Sequence, residues 1–320
     1  MQDNKRELGK YYTINSPFEL EPFMDWFGLI PDDKKARMLE PFAGACNIPL
    51  FFTGYAFDCF DIAPPQDTNG YNVVVRDCIK DYPKGYGVAI TNPPYLGKSS
   101  AARRHIGYPY PEYTDLYMKC LEVMLGNTDY VAAIIPDSFI TSGLFVNRLD
   151  TVISLTFSLF CDTDCPVCLA LFSPIQTDDF KYYVMDEPCG MFSELKEKET
   201  PESKDYKWIF NDPDGDIGVI CIDNTQGPSI RFVNGSEIGR DTIKHSSRSI
   251  TRVGSGVPTE SLDEFLALAN EELARFRNDT HDIFLTSFKG LRKDGRYRRR
   301  ITFEQVRNIL NFIMGKISGC

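Results

Sequence analysis

Histidine is scarce in this chain. The three residues, His105, His245 and His281, are scattered, without the close spacing of a zinc site. One CxxC pair, Cys165 and Cys168, has no second pair to complete a metal set, and the "CLALF" that follows reads as the start of a strand. No apolar run approaches the ~20 residues that a membrane helix needs. The opening "MQDNKRELGK" is polar and charged and lacks the apolar segment of a secretory signal. These absences predict a soluble cytoplasmic protein with no membrane segment and no metal. Its ten cysteines are then expected as free, mostly buried thiols.

What is present suits a large folded core. The 320 residues are 42% hydrophobic and 25% charged, enough for one large domain or two smaller ones. The formal net charge of −10 argues against a nonspecific polyanion binder. That average hides a basic run, "KGLRKDGRYRRR". Lys289, Arg292, Lys293, Arg296, Arg298, Arg299 and Arg300 stand there against Asp294 alone, a local +6. With Tyr and Gly interleaved, the run reads as a phosphate-contacting loop.

Along the first half, short apolar runs alternate with helical patterns. "RMLEPF", "FDCFDI", "YNVVVRDC", "YGVAITN" and "YVAAIIP" are strand candidates; 46–54 and 112–126 are helix candidates. The alternation predicts an α/β protein with a doubly wound parallel sheet. Near residue 175 the chain turns polar and acidic, and short strands and amphipathic helices follow. This sets a boundary between a first domain, 1–175, and a second, C-terminal α+β domain, 176–320. Capping boxes are expected at Ser261/Glu264 and Thr302/Gln305, and the last helix is expected to end at Gly315.

In such sheets ligands bind at the carboxyl ends of the strands, where Glu40, Asp61, Asp77 and Asn92 fall. After Glu40 the small residues Ala43, Gly44 and Ala45 permit close approach of the backbone to a ligand. The turn is neither GxGxxG nor followed by the Lys-Ser/Thr of a phosphate loop. A nucleoside ligand without phosphate suits this set: Glu40 for an amino group, Asp61 for a ribose, Asp77 for an adenine.

Asn92-Pro93-Pro94-Tyr95 ends the fourth strand. Asn92 offers a side-chain carbonyl and Pro93 a main-chain carbonyl, both acceptors. Pro94 stiffens the turn, and Tyr95 adds a flat face. Together they would grip a planar group bearing NH2 and favour a pyramidal, nucleophilic nitrogen.

"NPPY" after a strand, with "EPFAGACNIP" upstream, resembles the S-adenosylmethionine-dependent N6-adenine DNA methyltransferases in their gamma arrangement. The resemblance covers residues 9 to about 172. It implies a Rossmann-like methyltransferase sheet followed by a target-recognition domain. It also implies S-adenosyl-L-methionine as cofactor, S-adenosyl-L-homocysteine as product, and a flipped adenine as target. Carried over residue by residue, Tyr12 and Thr13 would line the methionine end and Glu40 would bind its amino group, with Ala43 and Gly44 at the close approach. Asp61 would hold the ribose, Ile62 would pack on the adenine, and Asp77 would take its N6, with Cys78 beside it. Asn92, Pro93, Pro94 and Tyr95 would serve catalysis, with Phe160 as the second stacking ring.

Double-stranded DNA is the implied partner. Residues 96–112 are expected to form a loop over the extruded strand, with Lys98, Arg103 and Arg104 on phosphates, and Lys289, Arg292, Arg296, Arg298, Arg299 and Arg300 as a further contact set. A monomer is expected, as the modification enzyme of a restriction-modification or phage protection system, with any cognate endonuclease acting separately. RNA-adenine and protein-glutamine methyltransferases share the motif, but the basic C-terminal mass favours DNA. A non-catalytic anti-restriction or specificity protein on the same fold is the alternative from another class.

Overall fold

A computed structural model describes residues 13–160, 165–202, 206–257 and 261–318. Tyr12 lies outside them. The apolar runs of the first half become β1 (Arg37–Glu40), β2 (Ala56–Asp61), β3 (Val73–Val75), β4 (Val88–Thr91) and β5 (Tyr130–Pro136). They join β6 (Leu149–Ser154), β7 (Val167–Phe172), β8 (Lys181–Val184) and β9 (Glu187–Met191) in one nine-stranded sheet, ordered β3-β2-β1-β4-β5-β7-β6-β8-β9. Neighbours from β3 to β5 are parallel, and β7 runs antiparallel to both β5 and β6. β4 and β7 are buried along their whole length, which is why they read as continuous rather than alternating apolar runs. This is the doubly wound, Rossmann-like sheet expected from the sequence, with antiparallel pairs added beyond β5. The chain builds outward from β1 to β3, returns, and builds the other way from β4. The carboxyl ends of β1 and β4 therefore flank the switch point where such sheets bind ligands.

Two local expectations change in this unit. Residues 46–54 are not an α-helix: Cys46 takes φ +58° and only Pro49–Phe51 makes a short 3₁₀ turn. A left-handed residue cannot belong to a right-handed helix, and Pro49 removes a backbone donor. The segment 96–112 is not a plain loop, since Lys98–Arg103 is a helix that buries Ala101. By contrast, Leu116–Leu125 is the helix expected within 112–126, with Cys120 and Met124 fully buried.

The chain divides into two units between Phe192 and Ser193 rather than near 175. β8 and β9 extend the first sheet, β8 pairing parallel to β6 and burying Tyr182 completely. Their polar, Pro-containing sequence made them read as the start of the second domain.

The second unit is α+β. Its four-stranded antiparallel sheet, ordered β10-β13-β11-β12, comprises β10 (Ile209–Phe210), β11 (Ile217–Ile220), β12 (Arg231–Asn234) and β13 (Ile250–Gly254). A separate hairpin pairs β14 (Thr286–Leu291) with β15 (Tyr297–Arg300). Helices Leu262–Asp279 and Phe303–Ser318 share the sheet's core through side chains such as Phe265, Leu273, Ile309 and Ile313. The Thr302/Gln305 box forms reciprocally, at 3.0 and 3.2 Å. The Ser261 side chain makes no cap bond. The last helix also passes Gly315, where a glycine weakens a helix by about 1 kcal/mol without having to end it.

The basic run folds as that hairpin, not as a loop. Fully buried Asp223 accepts two bonds from Arg277 and one from Arg292, all at 2.9 Å, and backbone N–H bonds from Ser229 and Ile230. Arg292 also pairs with Asp294 at 2.9 Å, and its side chain is only 2% exposed. Its place among phosphate contacts is therefore corrected: the guanidinium neutralises a buried acid. Arg298 donates to the Asp223 carbonyl and lies over the Phe288 ring.

Candidate active site

The strand ends converge on one cavity of about 350 Å³. Glu40 enters it from β1, Asp61 and Ile62 from the end of β2, Asp77 and Cys78 from just beyond β3, and Asn92 and Pro94 from the turn after β4. Thr13, Ala43 and Gly44 also line it, and Tyr12, named with them, lies outside the described residues.

The small-residue turn is held by the acid at the neighbouring strand end. Asp61 Oδ2 accepts from Gly44 N at 2.9 Å and its Oδ1 from Ala63 N at 2.7 Å. Gly44 sits at φ +51°, a conformation glycine adopts without strain. The Asn47 side chain donates to the Thr13 carbonyl and accepts from Asn69, both at 2.8 Å, tying the chain's early segment to the turn. Neither asparagine was singled out from the sequence.

Glu40 is the electrostatic oddity. It is 2% exposed, and its Oε2 has no hydrogen-bond partner among the described residues. Burial, reinforced by Cys46 and Asp61, holds its carboxyl well above the usual carboxylate range. A buried acceptor left open toward a cavity suits a cationic ligand group. At the far end Asp77 pairs with Lys80 at 3.0 Å and accepts from Ile79 N at 3.2 Å. The cavity's formally charged lining is three acids, Glu40, Asp61 and Asp77, against Arg76 and Lys80.

The cover over this end is the part sequence reasoning missed. Ile106, Gly107, Pro109 and Tyr110 line the cavity, although the segment was read only as a strand-covering loop. The alternating Pro and Tyr of "YPYP" was the available signal, because prolines stiffen an extended segment. Asp115 fastens the start of this cover by accepting from Leu96 N at 3.0 Å. Burial pushes the Asp115 carboxyl up to about 6.

Pro93, Tyr95 and Phe160 do not line the cavity. Tyr95 is 8% exposed and its hydroxyl lies 2.5 Å from Asn92 Oδ1 and 2.6 Å from the Ile134 carbonyl. Phe160, bridged to Thr13 by backbone pairing, meets Tyr95 edge to face at 6.3 Å and 74°. The two rings are neighbours, but they are not parallel. Lys98, Arg103 and Arg104 are exposed on and beside the Lys98–Arg103 helix. Cys168, the second residue of β7, is a buried thiol, and Cys46, Cys59, Cys78, Cys120 and Cys221 are buried free thiols as well. Also among the described residues, no helix is long and apolar enough to cross a membrane, and no group of three or more His, Cys, Asp or Glu could hold a metal ion.

No protein-family model matches the chain, and no curated protein matches it. Solved structures do. A methyltransferase subunit of a type I restriction-modification system from Streptococcus thermophilus is 15% identical with a TM-score of 0.39, covering 54% of this chain and 47% of its own. The M protein of the type I restriction enzyme EcoKI is 13% identical with a TM-score of 0.34, covering 47% and 44%. An rRNA methylase from Streptococcus thermophilus is 14% identical with a TM-score of 0.34, covering 52% of this chain and all of its own. The chain spans about half the length of the first two.

Proposed function

We propose that this chain is a site-specific DNA methyltransferase that transfers a methyl group from S-adenosylmethionine to the N6 amino group of a flipped adenine, as the modification enzyme of a restriction-modification or phage protection system. One observation carries the reading: the unpartnered, buried carboxylate oxygen of Glu40 faces a cavity at the switch point, shared with Asp61, Asp77 and Asn92. The fit is also one of charge. A ligand bearing an ammonium, a sulfonium and one carboxylate is net positive, and its ammonium beside Glu40 would favour the ionised carboxylate, giving the lining one more acid than base.

In this reading Glu40 takes the ammonium, with Thr13 at the same end. Asp61, whose carboxylate offers about four acceptor sites, accepts from ribose hydroxyls. Ile62 and Cys78 flank the adenine, and Asp77 accepts from its amino group. Bound there, the cofactor supplies an electrophilic methyl group on sulfur. Asn92 Oδ1 and the Pro93 carbonyl accept from the target amino group. These bonds strengthen as the nitrogen pyramidalises and gains positive charge, so they favour the transition state over the ground state. The excess proton leaves the nitrogen afterwards, and no general base has to precede attack. Tyr95 supports one face of the base. Extracting that base from the duplex costs a few kcal/mol, which phosphate contacts by Lys98, Arg103 and Arg104 help to offset.

Calorimetry with S-adenosylhomocysteine tests the cavity assignment. Binding by the wild type and its loss in Asp61→Ala are expected. Wild-type affinity in both Asp61→Ala and Asp77→Ala would overturn it.

A further inference from the structure

We propose that a column of stacked side chains in the second unit is a docking face for the phosphate backbone of duplex DNA. The Arg248 guanidinium lies over the Phe303 ring at 5.3 Å. Phe303 stacks on Phe210 at 4.7 Å with 21° between ring planes. The Arg307 guanidinium covers Phe210 from its own side at 5.2 Å. The order is therefore cation, ring, ring, cation, built from the residues before β13, the start of the last helix, and β10.

This packing has a chemical consequence. A guanidinium held over a ring is attracted by the ring face, and the N–H groups it does not spend elsewhere stay available to a ligand. Two such groups fixed in place lose little freedom when they bind a phosphate bidentately. Arg248 spends one donor on the Ser247 carbonyl at 3.1 Å. Among the described residues no carboxylate pairs with Arg248, Arg300 or Arg307.

The surrounding charge agrees. Residues 231–252 hold five basic and two acidic residues, a net +3, and residues 289–307 hold eight and two, a net +6. Residues 193–320 as a whole, with twenty of each sign, sum to zero. The fold brings the two basic segments together twice: through Arg248 on Phe303, and through Cys221 and Ile222. Cys221 N donates to the Ser249 carbonyl while Ile222 bridges Arg300. Acids from outside reach these segments at Arg292, paired with Asp223 at 2.9 Å, and at Arg240, paired with Asp214 at 2.7 Å. Two guanidinium groups pre-set on a polarised face fit a regular polyanion, and duplex DNA is the polyanion that the proposed activity requires. The choice of DNA rests on that activity; the face itself rests on the packing.

Anisotropy of a short labelled duplex, titrated with the full chain over a salt series, tests this. Arg248→Gln with Arg307→Gln should lower the slope of log K against log salt by about 1.8, two contacts at ~0.9 each. Arg248→Lys with Arg307→Lys should restore most of the slope, which a folding defect would not allow. Lys196→Gln with Lys198→Gln, both exposed in an acidic segment, should leave it unchanged. An unchanged slope in the Gln pair, or no duplex binding by the wild type, overturns the proposal. So does equal binding of poly-L-glutamate lost with the same pair, since the face would then take acidic protein. Cofactor calorimetry on the same variants separates the two claims. Lost cofactor binding with the slope effect intact sinks the methyltransferase reading and leaves the face standing.

Discussion

Tyr95 places its hydroxyl 2.5 Å from the side-chain carbonyl of Asn92, the atom that the proposed chemistry needs as an acceptor for the target amino group. A phenol has one proton, and the Ile134 carbonyl competes for it at 2.6 Å. The acceptor is therefore partly engaged before any base arrives, and an incoming NH2 has to share it or displace the phenol.

Tyr95→Phe tests that relationship. Removing the hydroxyl deletes one buried hydrogen bond, worth about 1 kcal/mol of stability, and removes that competitor for the Asn92 acceptor. Thermal unfolding should show the loss, while single-turnover methylation stays within a few-fold of wild type. Tyr95→Ala should cost a further ~1–3 kcal/mol through the lost stacking face. A collapse of turnover in Tyr95→Phe as deep as that of an Asn92 variant would mean that the hydroxyl, not the ring, matters.

Glu40 gives a prediction in which stability and function move apart. Its folded carboxyl holds a proton to higher pH than it would in the unfolded chain. Its contribution therefore falls as pH rises above the ordinary carboxylate range, because the folded state must then bury the charge. Glu40→Gln should raise the melting temperature of the ligand-free protein at neutral pH. The same change should weaken S-adenosylhomocysteine by about 2–5 kcal/mol, as expected for the loss of one member of a buried charge pair. A lowered melting temperature with unchanged affinity would assign Glu40 to the fold alone.

The Asp223 cluster predicts acid sensitivity of the second unit. Burial raises this carboxyl, but the Arg277 guanidinium and the Ser229 and Ile230 N–H groups outweigh it and hold the group down to about 2. The stabilisation is present above the usual carboxylate range and is lost as pH falls from about 4 to about 2. Arg292→Ala should destabilise the protein by about 3–5 kcal/mol, because it breaks a buried charge pair. It should not change the salt slope of duplex binding in the folded fraction. Chemical denaturation and the anisotropy series together check both statements.

How much of this was readable in the sequence follows from the range of each interaction. The five parallel strands were legible because β4, for instance, is buried throughout and so apolar throughout. The acids could be placed at one cavity because a strand that ends at a switch point carries its last residues there. Asp61 could not be read as the staple of Gly44, since that bond depends on how β1 and β2 pair. Arg292 looked like one charge in a run because its partner Asp223 lies 69 residues away. The Tyr110 cover stayed hidden because a connector's path over a cavity leaves no periodicity. The left-handed Cys46 turned a helical pattern into a turn without a glycine to announce it.

The most direct measurement is methyl transfer from S-adenosylmethionine to duplex DNA, with the product nucleosides identified by mass spectrometry, for the wild type and Asn92→Ala side by side. The account predicts N6-methyladenine from the wild type and turnover reduced to background in Asn92→Ala, with S-adenosylhomocysteine affinity retained because the Asn92 amide serves the base. Methylated cytosine, methylated protein or RNA in place of DNA, or full activity in Asn92→Ala would contradict it.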